Sequence, residues 1–469
     1  MWRVSSGRYP PKPRGARRGW SGVRQHGNRR DSVVKSPAPP YGPLLVEIGN
    51  TELERSEECP QIADCEDVSS YTWLGRAAPS ILIPVMEVNL QGEPPVWTPG
   101  TEDRQLEPDR GEYFRDPNAA RYPSYPWQAA FEAISRESPD YDLADTDIVT
   151  CSSTLGNLTR FARGVDKDFR FIMELVGDSV FFIRRENSPT DLIPDVRGYG
   201  HTFLDQYTTW GPGLAGSESH QRIIKYTFGG LHLLVRFESD GYIPKVPQER
   251  LSSNQETGRS SSSGDGDTDI VSLVARLEGD HGRDPVDDSG RLKIHGGGRR
   301  IGQSDIIDIK TRSMVDFKTG AIKKEIDMTD LTPRLWVSQI PTLIVAYHNR
   351  GLFDDIRVQD VRDEITRWER ENDEMLRRVA WLLRELMHYA KSSKTRLEVC
   401  RSGAGPIQIR RVTGDSPMAL APETKAKWTG RDSPDGSNHT CILSRDNNCS
   451  TQLIESDNSD PESGYDARD

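Results

Sequence analysis

The chain has 469 residues, enough for two or three average domains, yet only 34% are hydrophobic, 28% are charged, and it carries 40 Gly and 31 Pro. Ordinary globular domains run nearer about 45–50% apolar, so the composition predicts one sizeable folded unit with long polar tails and insertions. The absence of any eighteen-residue apolar run excludes a membrane-spanning helix, and an N-terminus without an apolar h-region predicts no secretory signal.

The formal charge of −11 is unevenly placed: residues 1–36 hold ten Lys or Arg against one Asp, and the last 56 residues hold eleven acids against five bases. The net sign therefore excludes no class of partner. Six scattered cysteines, without a CxxC and without histidine at ligand spacing, argue against a disulfide framework or a zinc site. They predict a reducing compartment, nuclear or cytoplasmic.

The first forty residues interleave Arg14, Arg17, Arg18, Arg29 and Arg30 with Gly, Pro, Tyr and Trp and show no period, which predicts a disordered basic arm over 1–40. Arginine and aromatic side chains on a flexible backbone suit loose RNA binding by phosphate contact and stacking, and such a run also serves as a nuclear import signal. A solubilising tail explains it equally well. Residues 41–145 are Pro-rich with short apolar runs and predict irregular structure wrapping a core, with no chemistry of their own.

From Asp147 the pattern tightens. "DIVTCSSTLGNLTRFARG" predicts a capped helix, "FRFIMELVGDSVFFIRREN" two strands around Gly177-Asp178, and "VRGYGHTFLDQYT" a short helix. "SHQRIIKYTFGGLHLLVRFESDGYI" predicts a hairpin about Gly229-Gly230. A Ser-, Gly- and Asp-rich stretch over about 248–298 predicts a disordered insertion, because strand-like sequence resumes at "SDIIDIKT". A helical turn and strands follow in "LWVSQIPTLIVAYHNRGLFDDIRV". Then comes one long amphipathic helix in "QDVRDEITRWERENDEMLRRVAWLLRELMHYAKS", two closing strands, and an acidic disordered tail over 414–469. This mixed order predicts an α/β (α+β) core over 146–413, a mixed central β-sheet flanked by helices.

The chemistry-bearing stretch is "DIIDIKTRSMVDFKTG" (305–320), which repeats Asp-x-Lys-Thr at Asp308/Lys310 and Asp316/Lys318. Strand residues two apart share a face, so Asp308 and Lys310 are neighbours. Upstream, Glu238 and Asp240 do the same at the end of the hairpin's second strand. If the two strands pair, three carboxylates and one ammonium converge, and like-charged carboxylates in one site call for a cation. Mg2+ held by Asp240, Asp308 and Glu238 would polarise a phosphate and acidify an attacking water, with Lys310 orienting that water. Either dipeptide alone is commonly just a solvated strand face. Asp308/Lys310 is the preferred copy, because its β-branched run suits a central strand; Asp316/Lys318 is the reserve.

An acid pair at a hairpin end, (D/E)-x-K on the next strand and a Gln on a following helix resemble the order of the PD-(D/E)xK nuclease superfamily. More narrowly, the blocks "SHQRIIKYTFGGLHLLVRFESDGY", "DIIDIKTRS" and "LWVSQIPTLIVAYH" resemble those of the DXO/Rai-type decapping nucleases of RNA 5′ ends. The resemblance covers less than half of the chain. It implies a PD-(D/E)xK nuclease-like core and Mg2+ or Mn2+ as cofactor. It implies Glu238, Asp240 and Asp308 as metal ligands, Lys310 as the catalytic lysine and Gln339 as a substrate or water contact. It also implies RNA 5′ ends as substrate and an exoribonuclease or RNA-processing protein as partner. The family's G-Y-K-F-E helix stands here as "GYGHTFLD", which displaces its acid to Asp205 as a fourth ligand candidate. An arginine of the preceding helix has only Arg160 to stand for it.

Two other classes compete. A catalytically silent RNA-binding or scaffold protein would keep the fold and lose the helix acid and arginine. "DDIRVQD", Asp354-Asp355 followed by Asp360, fits one aspartate-rich motif of a prenyl (geranylgeranyl) diphosphate synthase, but no second motif follows and acids capping a helix near Asp360 explain it more simply. His201, inside the motif-bearing helix, is the one histidine with a candidate role.

Overall fold

The computed structural model describes residues 41–84, 93–100, 104–194, 196, 198–212, 214, 216–244, 290–297, 299–315 and 325–429. In chain order, β1 (Leu44–Ile48), β2 (Ala63–Leu74), β3 (Ser80–Ile83) and β4 (Val96–Trp97) precede α1 (Pro117–Arg121) and α2 (Gln128–Glu137). β5 (Ile148–Cys151) runs into α3 (Ser152–Ala162), followed by β6 (Phe169–Val176), β7 (Ser179–Arg184), α4 (Gly200–Tyr207) and β8 (Thr208–Thr209). Next come β9 (Ser217–Phe228), β10 (Leu231–Ser239), β11 (Gly241–Tyr242), β12 (Lys293–Gly296), β13 (Ile306–Ser313) and α5 (Thr332–Ser338). The fold closes with β14 (Thr342–Asn349), β15 (Leu352–Asp360), α6 (Arg362–Glu371), α7 (Asp373–Ser392), β16 (Leu397–Arg401), β17 (Ile407–Arg411) and α8 (Pro422–Trp428).

The strands form an eleven-stranded sheet in the order β1-β17-β16-β6-β7-β5-β10-β9-β2-β3-β12 and a six-stranded sheet in the order β15-β14-β13-β11-β4-β8. Both are mixed: β10 is parallel to β5 and antiparallel to β9, and β14 is parallel to β13 and antiparallel to β15. The expected mixed sheet with flanking helices is present, divided in two. The β9–β10 turn falls at Gly229 (φ 57°) and Gly230 (φ 68°), and two successive positive φ values make the hairpin turn whose twist matches its strands. A Cβ at Gly229 would collide with Ala380, so the same residue lets α7 lie across the turn.

α7 buries Leu376, Val379, Leu383, Leu386 and Ala390, at alternating spacings of three and four, in a cluster with α3 and the larger sheet. Each fully buried leucine contributes about 1.5–3 kcal/mol. The single long helix expected from the sequence is two, α6 and α7, broken at Asn372 (φ −110°, ψ 18°). The Asn372 side-chain amide donates to Trp368 O (2.8 Å), a local bond that competes with helix continuation. Its backbone N–H still donates to the same carbonyl (3.0 Å), so the apolar stripe keeps its phase across the break.

Four other expectations change. Residues 41–145 contribute the twelve-residue β2 along β9, and α2 packs Phe131 and Ile134 against the sheet. "DIVTC" is strand β5, buried between β10 and β7, and the helix starts only at Ser152. The last part of the expected insertion forms β12 beside β3, while 245–289 lie outside the described residues. The expected tail begins inside the core: Ala419, Leu420 and Trp428 are buried, and the Trp428 ring stands 4.8 Å from Phe181 and 6.1 Å from Phe131. Among the described residues, no helix is long and apolar enough to cross a membrane.

Candidate active site

Asp240 is the single residue between β10 and β11, so it stands where the chain passes from the larger sheet to the smaller one. Gly241 follows because Pro95 O comes within 2.6 Å of where a Cβ would lie. β11 rather than β10 pairs with β13, through Gly241↔Ile307, and this brings Asp308 beside Asp240. Asp240 Oδ2 accepts the Ile309 N–H at 2.8 Å. Alternation along β13 sends Ile307 and Ile309 into the cluster of Phe203, Tyr207 and Ile344 and leaves Asp308 and Lys310 on the opposite face.

There Lys310 Nζ donates to Asp308 Oδ1 (2.7 Å) and Ile309 O (2.9 Å) and lies 3.7 Å from Asp240 Oδ2. The Asp308 side chain is 2% exposed, and its Oδ2 is buried without a hydrogen-bond partner. Arg334, in the first turn of α5, reaches Asp308 Oδ1 with Nη2 at 3.5 Å while 54% of its side chain meets solvent. Glu238 pairs across the hairpin with Gln221, whose Oε1 accepts from Asn118 Nδ2 (3.3 Å). Glu238 itself is exposed.

Burial would raise Asp308, but Lys310 and then Arg334 outweigh it and hold the carboxylate below its ordinary range. Asp240 is pushed up to about 6 by burial and by the Asp308 charge, against the pull of Lys310, Arg334 and the Ile309 N–H. Glu238 is pushed up to about 7 by burial and by Asp240, opposed by Gln221 and Arg334. The cluster thus combines one firmly ionised carboxylate with two carboxyls that change charge near neutrality, a proton-transfer range.

Asp240, Asp308 and Lys310 come together, and Glu238, two residues before Asp240, feels its charge; among the described residues the other sequence candidates do not join them. Asp205 is exposed on α4, whose Phe203 and Tyr207 pack on the Ile307/Ile309 face, so it lies on the far side of β13 and acts on Tyr113 and His201 instead. Gln339 adopts a left-handed conformation (φ 49°) at the end of α5, and its amide turns back to Trp336 O (2.6 Å). His201 stacks on Tyr113 (3.4 Å between centroids), with its backbone N–H on Asp109 Oδ2 (3.3 Å). Arg160 holds Asn157 Oδ1 (3.2 Å). Asp316, Lys318, Arg14, Arg17, Arg18, Arg29 and Arg30 lie outside the described residues.

The prenyl-synthase motif is overturned by its setting. Asp354 and Asp355 lie on strand β15, Arg357 binds Asp355 in a fork (2.7 Å at the closest), and Asp360 accepts the Arg362 N–H (3.1 Å) at the start of α6. Arg334 is the site residue that sequence reading missed. A signal for it exists: two helical positions before the buried Trp336, it must face the other way round α5.

Among the described residues, no three acidic, histidine or cysteine side chains stand arranged as a ready cation cage. Lys310 holds the place between Asp240 and Asp308. The donor chemistry nonetheless fits a small divalent ion: the acids offer only oxygen donors, and the unpartnered Asp308 Oδ2, beside a second carboxyl, requires a shared proton or a cation.

Solved structures similar to this chain include Rai1 proteins. Scheffersomyces stipitis Rai1 in complex with (3′-NADP)+ and calcium ion is 10% identical with a TM-score of 0.52, covering 84% of this chain and 99% of that one. Another structure of the same Rai1 gives 9% identity and a TM-score of 0.51 over 84% and 99%. Candida albicans Rai1 in complex with pU5-Mn2+ gives 10% identity and a TM-score of 0.50 over 82% and 98%. At these identities the likeness establishes the fold, the one implied by the sequence blocks. No curated protein sequence matches this chain. Residues 50–400 match the family described as "Domain of unknown function (DUF8563)", and the chain belongs to that family.

Proposed function

We propose that this protein is a divalent-metal-dependent nuclease that hydrolyses phosphodiester bonds of RNA, acting at 5′ ends. The observation that carries the reading is the pairing of Asp240 and Asp308 at the junction of two sheets, with Lys310 touching Asp308 and a buried Asp308 oxygen left without a partner. Sharing a fold with a Rai1 described in complex with pU5-Mn2+ supports the choice of RNA and of Mg2+ or Mn2+.

Asp308, Asp240 and Glu238 would hold the ion, which when bound supplies a positive charge at the phosphate and favours ionisation of the attacking water. Lys310, tied to the backbone through Ile309 O, would orient the water and offset charge that grows on the phosphate oxygens. Glu238, raised to about 7 while no ion is bound, would release its proton on binding one. Arg334 offers a half-exposed guanidinium to a phosphate beside them.

Incubation of the full chain with 5′-phosphorylated RNA in Mn2+, in Mg2+ and in EDTA tests this reading, with Asp240→Ala and Asp308→Ala beside it. Cleavage only with metal, lost in both variants, is expected. No cleavage of capped or uncapped RNA in either metal overturns it. That outcome favours the second reading, a silent RNA-binding protein, which draws on one observation: Asp205 and Gln339 both stand away from the site.

A further inference from the structure

Asn118, in the first turn of α1, is buried and joins β2 to β9. Its Oδ1 accepts from Tyr71 OH (2.5 Å) and from Trp73 Nε1 (2.9 Å), and its Nδ2 donates to Gln221 Oε1 (3.3 Å). An indole N–H can only donate, so the oxygen of Asn118 must be the atom that faces Trp73. That choice sends the Asn118 amide nitrogen to Gln221, and Gln221 has to answer with its oxygen. The Asp116 carboxylate accepts the Asn118 backbone N–H (3.0 Å) and fixes the start of the helix.

Gln221 stands directly opposite Glu238 on β10, and its amide is one of the groups that act on the Glu238 carboxyl. With Oε1 engaged by Asn118, only Nε2 is left to meet that carboxyl. Nε2 is buried and short of a full hydrogen bond within the fold, whereas Glu238 is exposed. Buried amides cost stability unless their dipoles are satisfied, and an apolar pair would pack between β2 and β9 without that cost. Every donor in the row points the same way, from Trp73 to Asn118, to Gln221 and on to Glu238.

We propose that Asn118 and Gln221 are positioning residues for Glu238: Tyr71 and Trp73 set the Asn118 amide, Asn118 sets Gln221, and Gln221 turns an N–H towards the carboxylate. The inference rests on the nuclease reading for the role of Glu238 as a metal ligand. It adds two residues outside the acid-bearing strands that bear on metal affinity, because partners behind a ligand hold it in place and are worth about 10–100-fold in affinity.

Asn118→Asp keeps the oxygen that Tyr71 and Trp73 require and replaces the Nδ2 donor with an acceptor. Gln221 must then turn over and set Oε1 against the Glu238 carboxylate. In Glu238→Gln the side chain offers a donor as well, so the turned amide is accepted. The urea midpoint of the full chain in EDTA is therefore expected to fall in Asn118→Asp. Most of that loss is expected to be recovered in Asn118→Asp/Glu238→Gln, measured against Glu238→Gln alone, and the recovery should vanish once Gln221→Leu is added throughout. Equal losses in the two backgrounds overturn the relay. Recovery that survives Gln221→Leu reports only the new charge and overturns it too. Calorimetric titration with Mn2+ is the second readout: Gln221→Leu, shown to fold by its thermal transition, is expected to bind about tenfold more weakly or worse. Wild-type affinity in that variant overturns the positioning role. Wild type that binds no Mn2+, with the midpoint recovery present, leaves the relay and removes Glu238 as a metal ligand. Wild type that binds Mn2+ without any recovery leaves the metal site and removes the relay.

Discussion

The ammonium of Lys310 stands 2.7 Å from Asp308 Oδ1, on a carboxylate that is 2% exposed. The pair is buried, charge-assisted and adjacent to a second acid, Asp240. Removing one partner of such a pair leaves an uncompensated charge, so Lys310→Ala is expected to slow metal-dependent RNA cleavage by about 100-fold or more. Lys318→Ala is expected to leave the rate near wild type. Single-turnover rates compare the two, and equal losses would remove the preference for the first Asp-x-Lys copy.

Asp240 and Glu238, raised to about 6 and about 7, hold protons in the folded chain at pH values where unfolded carboxyls, near about 4, have lost them. The folded state then binds more protons than the unfolded state, so this contribution to stability falls as pH rises. It is intact below the ordinary carboxyl range and is lost as pH climbs through about 6 and then about 7, with the share of Glu238 reduced by its access to solvent. In EDTA, Tm measured from about pH 5 to about pH 8 should fall more steeply for wild type than for Asp240→Asn. Mn2+ should raise Tm more at the alkaline end. Parallel wild-type and variant profiles would contradict the raised Asp240.

Trp428 anchors the segment after β17 between Phe131 and Phe181. Trp428→Ala removes a buried indole and is expected to cost about 3–5 kcal/mol, read as a lower urea midpoint at unchanged slope. A chain ended after residue 413 should lose at least as much. An unchanged midpoint would show that α8 does not pack in solution.

Asp205→Ala and Gln339→Gly are expected to leave cleavage near wild type, since neither side chain reaches the Asp308 face. At Gln339 the left-handed backbone (φ 49°) accepts glycine readily, whereas Gln339→Val places a β-branched side chain where it strains. Tm should separate the two substitutions. A large loss of activity in Asp205→Ala, with folding intact, would return that residue to the site.

The site was half legible in the sequence, for reasons that differ residue by residue. Asp308 and Lys310 are visible because strand alternation is local, and Gly229-Gly230 fixes the hairpin that leads to Glu238 and Asp240. Asp205 was misplaced because its helix position says nothing about which face of β13 the helix covers; Phe203 and Tyr207 decide that through long-range packing. Arg334 reaches Asp308 across 26 positions of chain, a contact no periodicity encodes. Trp428 lay within an acidic stretch whose composition outweighed its short Ala-Leu-Ala and Trp anchor. Asn372 broke the long helix because one side-chain amide bonded back to Trp368, while the apolar stripe ran on unchanged.

Calorimetric titration of the full chain with Mn2+ tests the Asp240–Asp308 cation site most directly, with Asp308→Asn titrated alongside. Saturable binding to wild type that is lost in Asp308→Asn is the expected result. Wild type that binds no Mn2+, or Asp308→Asn that binds it equally well, would contradict the site.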